Sequence, residues 1–118
     1  MTLAIGMVTT DCADPKALAA FWTAALDTTV SGDYGEFVML APPPAGGPVL
    51  AFQRVPEERA GKNRLHLDLE VEPGEIPAAV ARATELGATP VGGLVVDESG
   101  RFHVLTDPDG NEFCFVSD

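Results

Sequence analysis

Hydrophobic and polar positions change period several times along the chain, and each change marks an element. "LAIGMVTTDC" (3–12) is rich in β-branched and apolar residues and predicts a strand. In the next stretch, Leu18, Phe21, Trp22, Ala25 and Leu26 recur at helical spacing and make one apolar face. Asp14 suits the N-cap of that helix and Pro15 its first position. Three short extended segments follow, at about 28–31, "EFVMLA" and "VLAFQRV", with "PPPAGGP" as a loop between the last two. The order then repeats. "RLHLDLEV" (64–71) predicts a strand. "GEIPAAVARATELG" predicts a helix with Ile76, Ala79, Val80, Ala83 and Leu86 on one face and Gly87 as its stop. "TPVGGLVV", "FHVLTD" and "EFCFVS" predict three more strands, the last two joined by a tight "DPDG" turn.

The expectation is an α+β fold in a single domain, 1–118, made of two strand–helix–three-strand (βαβββ) modules. Module one covers about 1–56, a linker 57–62, and module two about 63–118. Two modules of this kind can pair with helices outside and sheet faces forming a concave, barrel-like pocket. Gly46, Gly47, Gly92 and Gly93 read as turns, since neither pair has the spacing of a phosphate loop.

Composition narrows the partners. Hydrophobic residues are 46% of the chain, which argues against disorder, and no apolar run approaches the ~20 residues of a membrane span. The N-terminus has no basic region before its apolar run, so a cytoplasmic protein without a signal peptide is expected. Cys12 and Cys114 cannot form a disulfide framework and are expected as buried thiols. A net charge of −11 disfavours nucleic acid and anionic membranes and favours a cationic or neutral small molecule.

Candidate chemistry centres on "NRLHLDLEV" (63–71). Its alternation sends Leu65, Leu67, Leu69 and Val71 one way, and Arg64, His66, Asp68 and Glu70 the other. His66 has three open readings: a structural imidazole held by Asp68, Gln53 or backbone; a ligand contact; or a general acid or base. Arg64 and Gln53 are able to bind a carboxylate or carbonyl, or to tie the two modules together. Arg59 and Lys62 read as solvated and Trp22 as core. Phe37, Met39, Phe52, Phe102, Val104 and Phe115 are candidates for apolar walls. His103 alternates with Phe102 and Val104 and is expected on the opposite face.

Three segments carry a resemblance. "DCADPKALAAFWTAALD", "LAFQRVPE…KNRLHLDLEV" and "DPDGNEFCFV" are similar, in that order, to glyoxalase-like members of the vicinal oxygen chelate superfamily (glyoxalase, bleomycin resistance, extradiol dioxygenase). The resemblance implies a small-molecule pocket and a homodimer. Metal-dependent relatives place His or Gln, then His, then Glu as ligands. The positions that match are Met7, counting back from Asp14, then His66, then Cys114, with Glu112 two residues earlier on the same face. A thioether and a thiol suit a hard divalent ion poorly.

No catalytic metal is therefore expected. The alternative is a divalent ion at His66 completed by Glu112 or Cys114. The expected function is binding of a small organic molecule without a cofactor, with His66, Asp68, Arg64, Gln53, Met7, Phe52, Phe102 and Cys114 as ligand-binding residues. His66 is the best catalytic candidate. The alternative function is a glyoxalase-like lyase or isomerase working through enolate chemistry. Ring-cleaving dioxygenation would need an iron site that these residues do not offer. An interaction module without a ligand is the residual reading.

Overall fold

The computed structural model describes residues 1–118. The chain divides into two compact units, Met1–Arg59 and Ala60–Asp118. Each is one helix laid on one four-stranded sheet, in the same element order.

The first unit runs β1 (Met7–Cys12), α1 (Pro15–Leu26), β2 (Val30–Asp33), β3 (Phe37–Leu40) and β4 (Val49–Arg54). Its sheet order is β1-β4-β3-β2, with β1 parallel to β4. Asp14 caps α1 by accepting from the Ala17 N–H at 3.2 Å, with Pro15 opening the helix. The helix buries Leu18, Ala19, Phe21 and Trp22, and the sheet face beneath buries Val38, Leu40, Leu50 and Phe52. Phe21 and Trp22 meet edge to face with centroids 5.1 Å apart, a favourable aromatic geometry. The strand begins later than the apolar run suggested. Leu3 and Ile5 lie outside β1 and are exposed, because β4 offers ladder partners only from Met7 onward.

The second unit repeats this as β5 (Leu67–Glu70), α2 (Ile76–Leu86), β6 (Thr89–Asp97), β7 (Gly100–Thr106) and β8 (Glu112–Ser117), with sheet order β5-β8-β7-β6. Neither sheet closes on itself: β1 and β2 edge the first, β5 and β6 the second. Gly87 ends α2 in the left-handed region, as its position after the last apolar residue predicts. Ile76, Ala83 and Ala88 pack over Leu105, Phe113 and Phe115, all buried. Phe113 and Phe115 are also edge to face, with centroids 5.7 Å apart.

Two sequence expectations are corrected by the strand pairing. First, β5 begins at Leu67, so Arg64, Leu65 and His66 lie before the strand, and Leu65 is 84% exposed rather than inward. The reason is again the ladder: β5 pairs with β8 only over Leu67–Glu70. Second, Gly92 and Gly93 are not a turn. They fall in a bulge within β6, between the pairs Val91–Val104 and Val95–Phe102, so four steps on β6 oppose two on β7. Gly92 takes φ +69°, which a side chain would strain. The ring of His103 hydrogen-bonds the Gly92 carbonyl through Nε2 at 3.0 Å, satisfying a backbone group that the bulge takes out of the ladder. Replacing His103 with alanine is expected to destabilise the second unit by about 0.5–1.5 kcal/mol. Amide hydrogen exchange should speed up in β6 before it does in β8, and uniform protection would refute that local role.

Candidate functional site

In a sheet, directly opposed residues share a face and neighbours along a strand alternate between faces. In the second unit the helix covers the face that carries Leu105, Phe113 and Phe115. The other face therefore carries Asp68, Cys114 and Val104 in one row, and Glu70, Val116 and Phe102 in the next. This open face holds a cavity of about 490 Å³ lined by Lys62, His66, Asp68, Ser99, Arg101, Phe102, Val104, Glu112, Cys114, Val116 and Ser117. Phe102, Val104 and Val116 form its apolar floor.

His66, Asp68 and Cys114 converge at one side of that floor, with their donor atoms all within 4.8 Å of one another. His66 Nδ1 lies 3.3 Å from Asp68 Oδ1. Cys114 stands opposite Asp68 in the parallel ladder and is buried. Burial pushes its thiol pKa up. The negative charge of Asp68, the hydrogen bond that the thiol donates to that carboxylate, and the charge of Glu112 push it further in the same direction. The thiol is therefore protonated at neutral pH, and Asp68 is the hub between it and the imidazole.

The loop that carries His66 is fixed from the far hairpin. Asn63 donates through Nδ2 to Asn111 Oδ1 at 3.2 Å, and its Oδ1 accepts the Glu112 N–H at 3.1 Å. Asn111 is in turn held by the Asp107 carboxylate, which accepts its backbone N–H at 2.9 Å and its side-chain amide at 3.3 and 3.2 Å. Asp107 also accepts the Asp109 N–H at 3.0 Å. Asp107 and Asn111 are both buried. The "DPDGN" turn thus does more than reverse the chain: it anchors the segment leading into His66. The other end of the site depends on the turn before β7. There the Asp97 carboxylate accepts the side-chain and backbone donors of Ser99, which hold its pKa below the usual carboxylate range. Gly100 follows with φ +130°, and a Cβ there would meet the Ser117 carbonyl oxygen at 2.6 Å.

The structure brings together four of the residues singled out from sequence as ligand-binding, namely His66, Asp68, Phe102 and Cys114, along with Glu112. Arg64 is exposed and is not among the lining residues. Met7 and Gln53 belong to the first unit, where both are exposed on the sheet face opposite α1. Phe52 is on the other face of that sheet, 2% exposed beneath α1. Phe115 likewise faces α2. His103 lies on the face opposite Phe102 and Val104, as its alternation predicts.

Lys62 and Arg101 line the cavity although their sequence positions do not single them out. A cation in a loop and another at a strand end look solvated in sequence, and only the β7–β8 pairing brings Arg101 level with Ser117. A larger hollow of about 930 Å³ adjoins this site, between the end of β5 and α2. Its lining gathers Glu70, Glu72, Glu75 and Asp118 without a cation. None of the residues singled out as site candidates lines it.

The match that decides the family spans residues 7–116, which fit the model of the glyoxalase-like domain. The chain belongs to the glyoxalase-like domain family. Solved structures similar to it include members of the glyoxalase/bleomycin resistance/dioxygenase family, in the vicinal oxygen chelate superfamily. A family enzyme from Burkholderia phytofirmans PsJN is 20% identical with a TM-score of 0.83, covering 97% of this chain and 98% of that one. A glyoxalase-related enzyme from Fulvimarina pelagi is 16% identical with a TM-score of 0.79, covering 99% of this chain and 89% of that one. A mutant of the fosfomycin resistance protein FosX from Listeria monocytogenes is a complex with Mn(II) and 1S,2S-dihydroxypropylphosphonic acid. It is 13% identical with a TM-score of 0.78, covering 98% of this chain and 90% of that one. At these identities the likeness is one of fold. No protein of curated function matches the chain by sequence.

The glyoxalase-like chain does not fit the hard ion of that FosX complex. Manganese prefers oxygen donors. The second unit supplies Asp68 among the converging donors, but the other two are an imidazole and a thiol. No helix in either unit is long and apolar enough to cross a membrane.

Proposed function

We propose that this glyoxalase-like protein binds a small organic molecule on the open face of its second sheet. The observation that carries this reading is the 490 Å³ cavity, with an apolar floor of Phe102, Val104 and Val116 and polar groups aimed in from its rim. Its size and mixture are those of a small-molecule site. The whole chain is acidic, but the lining of this cavity is mixed and includes Lys62 and Arg101 as well as Asp68 and Glu112. A bare cation would meet two like charges there. A neutral or zwitterionic molecule finds a partner for each end, so the proposal narrows the cationic-or-neutral expectation to that class. By the family resemblance the proposed assembly is a homodimer, which light scattering in solution would check.

Thermal-shift screening with neutral and zwitterionic metabolites and antibiotics tests the reading. A ligand at about 100 times its Kd stabilises the folded state by about 2.7 kcal/mol. Phe102→Ala should weaken any hit by about tenfold while leaving the ligand-free protein folded, since Phe102 is only half-buried. Hits that bind this variant as well as the parent would place binding elsewhere.

The alternative is an isomerase or lyase acting through an enolate. It draws support from His66 beside Asp68 as a proton carrier and from Arg101 and Lys62 as electrophiles for a developing oxyanion. Exchange of an α-proton for deuterium in a bound carbonyl compound, lost on His66→Ala, would favour it over simple binding.

A further inference from the structure

We propose that the apolar floor of the second-unit cavity continues across β7 onto the edge strand β6, and that this face takes an amphipathic small molecule. Its polar end lies at His66 and Asp68, and its apolar part reaches Val91 and Val95. The inference rests on the small-molecule reading of the cavity and adds the class of molecule to it.

Strand pairing carries the argument. Opposed residues share a face, so two rows of side chains cross the sheet next to each other. One runs Asp68, Cys114, Val104, Val91, and the other Glu70, Val116, Phe102, Val95. Polarity falls along both rows. To this face β5 contributes carboxylates, with His66 just before it, and β8 a thiol and a valine. β7 and β6 contribute only apolar side chains. Val91 and Val95 are 47% and 41% exposed, although they share the face of the cavity floor. Between them sits the Gly92–Gly93 bulge, where no atom lies within 4 Å of the place a Cβ would take at either glycine. The bulge thus leaves open space beside the two valines.

The size of the apolar part suits a small molecule and not a second protein. From β8 to β6 is two strand spacings, roughly 10 Å, and the rows are one two-residue step apart, roughly 7 Å. A stable protein interface needs about 800 Å² from each partner, many times that footprint. The polar end argues the same way. His66 and Asp68 lie 3.3 Å apart and are half exposed, which suits a hydrogen-bonding ligand. The centre of a protein interface is instead depleted in charge.

The probes are α-aminobutyric acid, norvaline, norleucine and α-aminooctanoic acid, which share a zwitterionic head and differ only in alkyl chain length. They are titrated into the full chain and followed by valine methyl NMR signals. Affinity is expected to rise roughly fourfold per added methylene, the gain from burying apolar surface. The longer members should shift the methyls of Val91 and Val95. Val95→Glu should erase the gain, so that long and short members bind alike. Val96→Glu puts the same charge on the same strand but on the other face, beside Arg101, and should keep the gain, which controls for damage to the edge strand. The proposal is overturned if the short members bind and chain length adds nothing, an outcome that leaves the cavity reading standing. It is overturned if Val95→Glu keeps the gain. It is overturned if the Val91 and Val95 methyls shift on dilution without any ligand, which assigns the face to a second copy. Silence from the whole series overturns this proposal and the cavity reading together.

Discussion

Asp107→Ala is expected to be among the most damaging single changes in the second unit. The carboxylate is 5% exposed and accepts from Asp109, from the Asn111 backbone and twice from the Asn111 amide. Alanine leaves those donors behind in a buried turn, and each unsatisfied group costs about 1–3 kcal/mol. The sum is a large part of the roughly 5–15 kcal/mol by which a domain is stable. The damage should travel. Asn111 holds Asn63, Asn63 holds the Glu112 N–H, and His66 is three residues further on. A variant that still folds should therefore show a His66 imidazole no longer held at Asp68, visible as shifted and broadened imidazole NMR resonances at a fixed pH. Asp107→Asn keeps an acceptor oxygen for the two backbone donors and should lose less. Equal melting temperatures for Asp107→Ala and the parent would refute the network.

Phe52→Ala is the second large expected effect, and it separates core from pocket. Phe52 is 2% exposed beneath α1 with Leu18, Val38 and Leu40 around the same core. Removing a buried phenylalanine ring costs about 3–5 kcal/mol. Chemical denaturation should show a loss of that size. In the fraction that remains folded, affinity for any molecule bound at the His66 cavity should be unchanged, because the ring faces a helix. A variant of near-parent stability with weakened ligand binding would put Phe52 in a binding wall after all.

Alternation carried much of this protein in its sequence, but only up to a point. Phe52 and Gln53 are neighbours on one strand, so both cannot line one face. The sequence shows the two faces without saying which one α1 will cover. The structure settles it: Phe52 goes under the helix and Gln53 does not. His66 illustrates a different limit. The alternating pattern runs through 63–71, yet the ladder holds only Leu67–Glu70, because a strand lasts as long as its partner. The "GG" of β6 shows a third. Paired glycines mark a turn or a bulge equally well, and the choice depended on β7 lying alongside to supply register and on His103 to satisfy the freed carbonyl.

By itself, the sequence determined the doubled strand–helix–three-strand order, both helices, the start of the first at Asp14 and Pro15 and the stop of the second at Gly87, the "DPDG" reversal, and the placing of His66 and Asp68 on one side of the chain. Those properties are local: period, caps and turn chemistry act over a few residues. What only the tertiary structure decided is which residues meet from distant parts of the chain. Cys114 reaches Asp68 through parallel register between β5 and β8, Arg101 and Lys62 arrive at the same cavity, and Asp107 steadies the His66 loop through two asparagines. Register and burial come from packing sheets against helices, and no window of sequence contains both partners of such a contact.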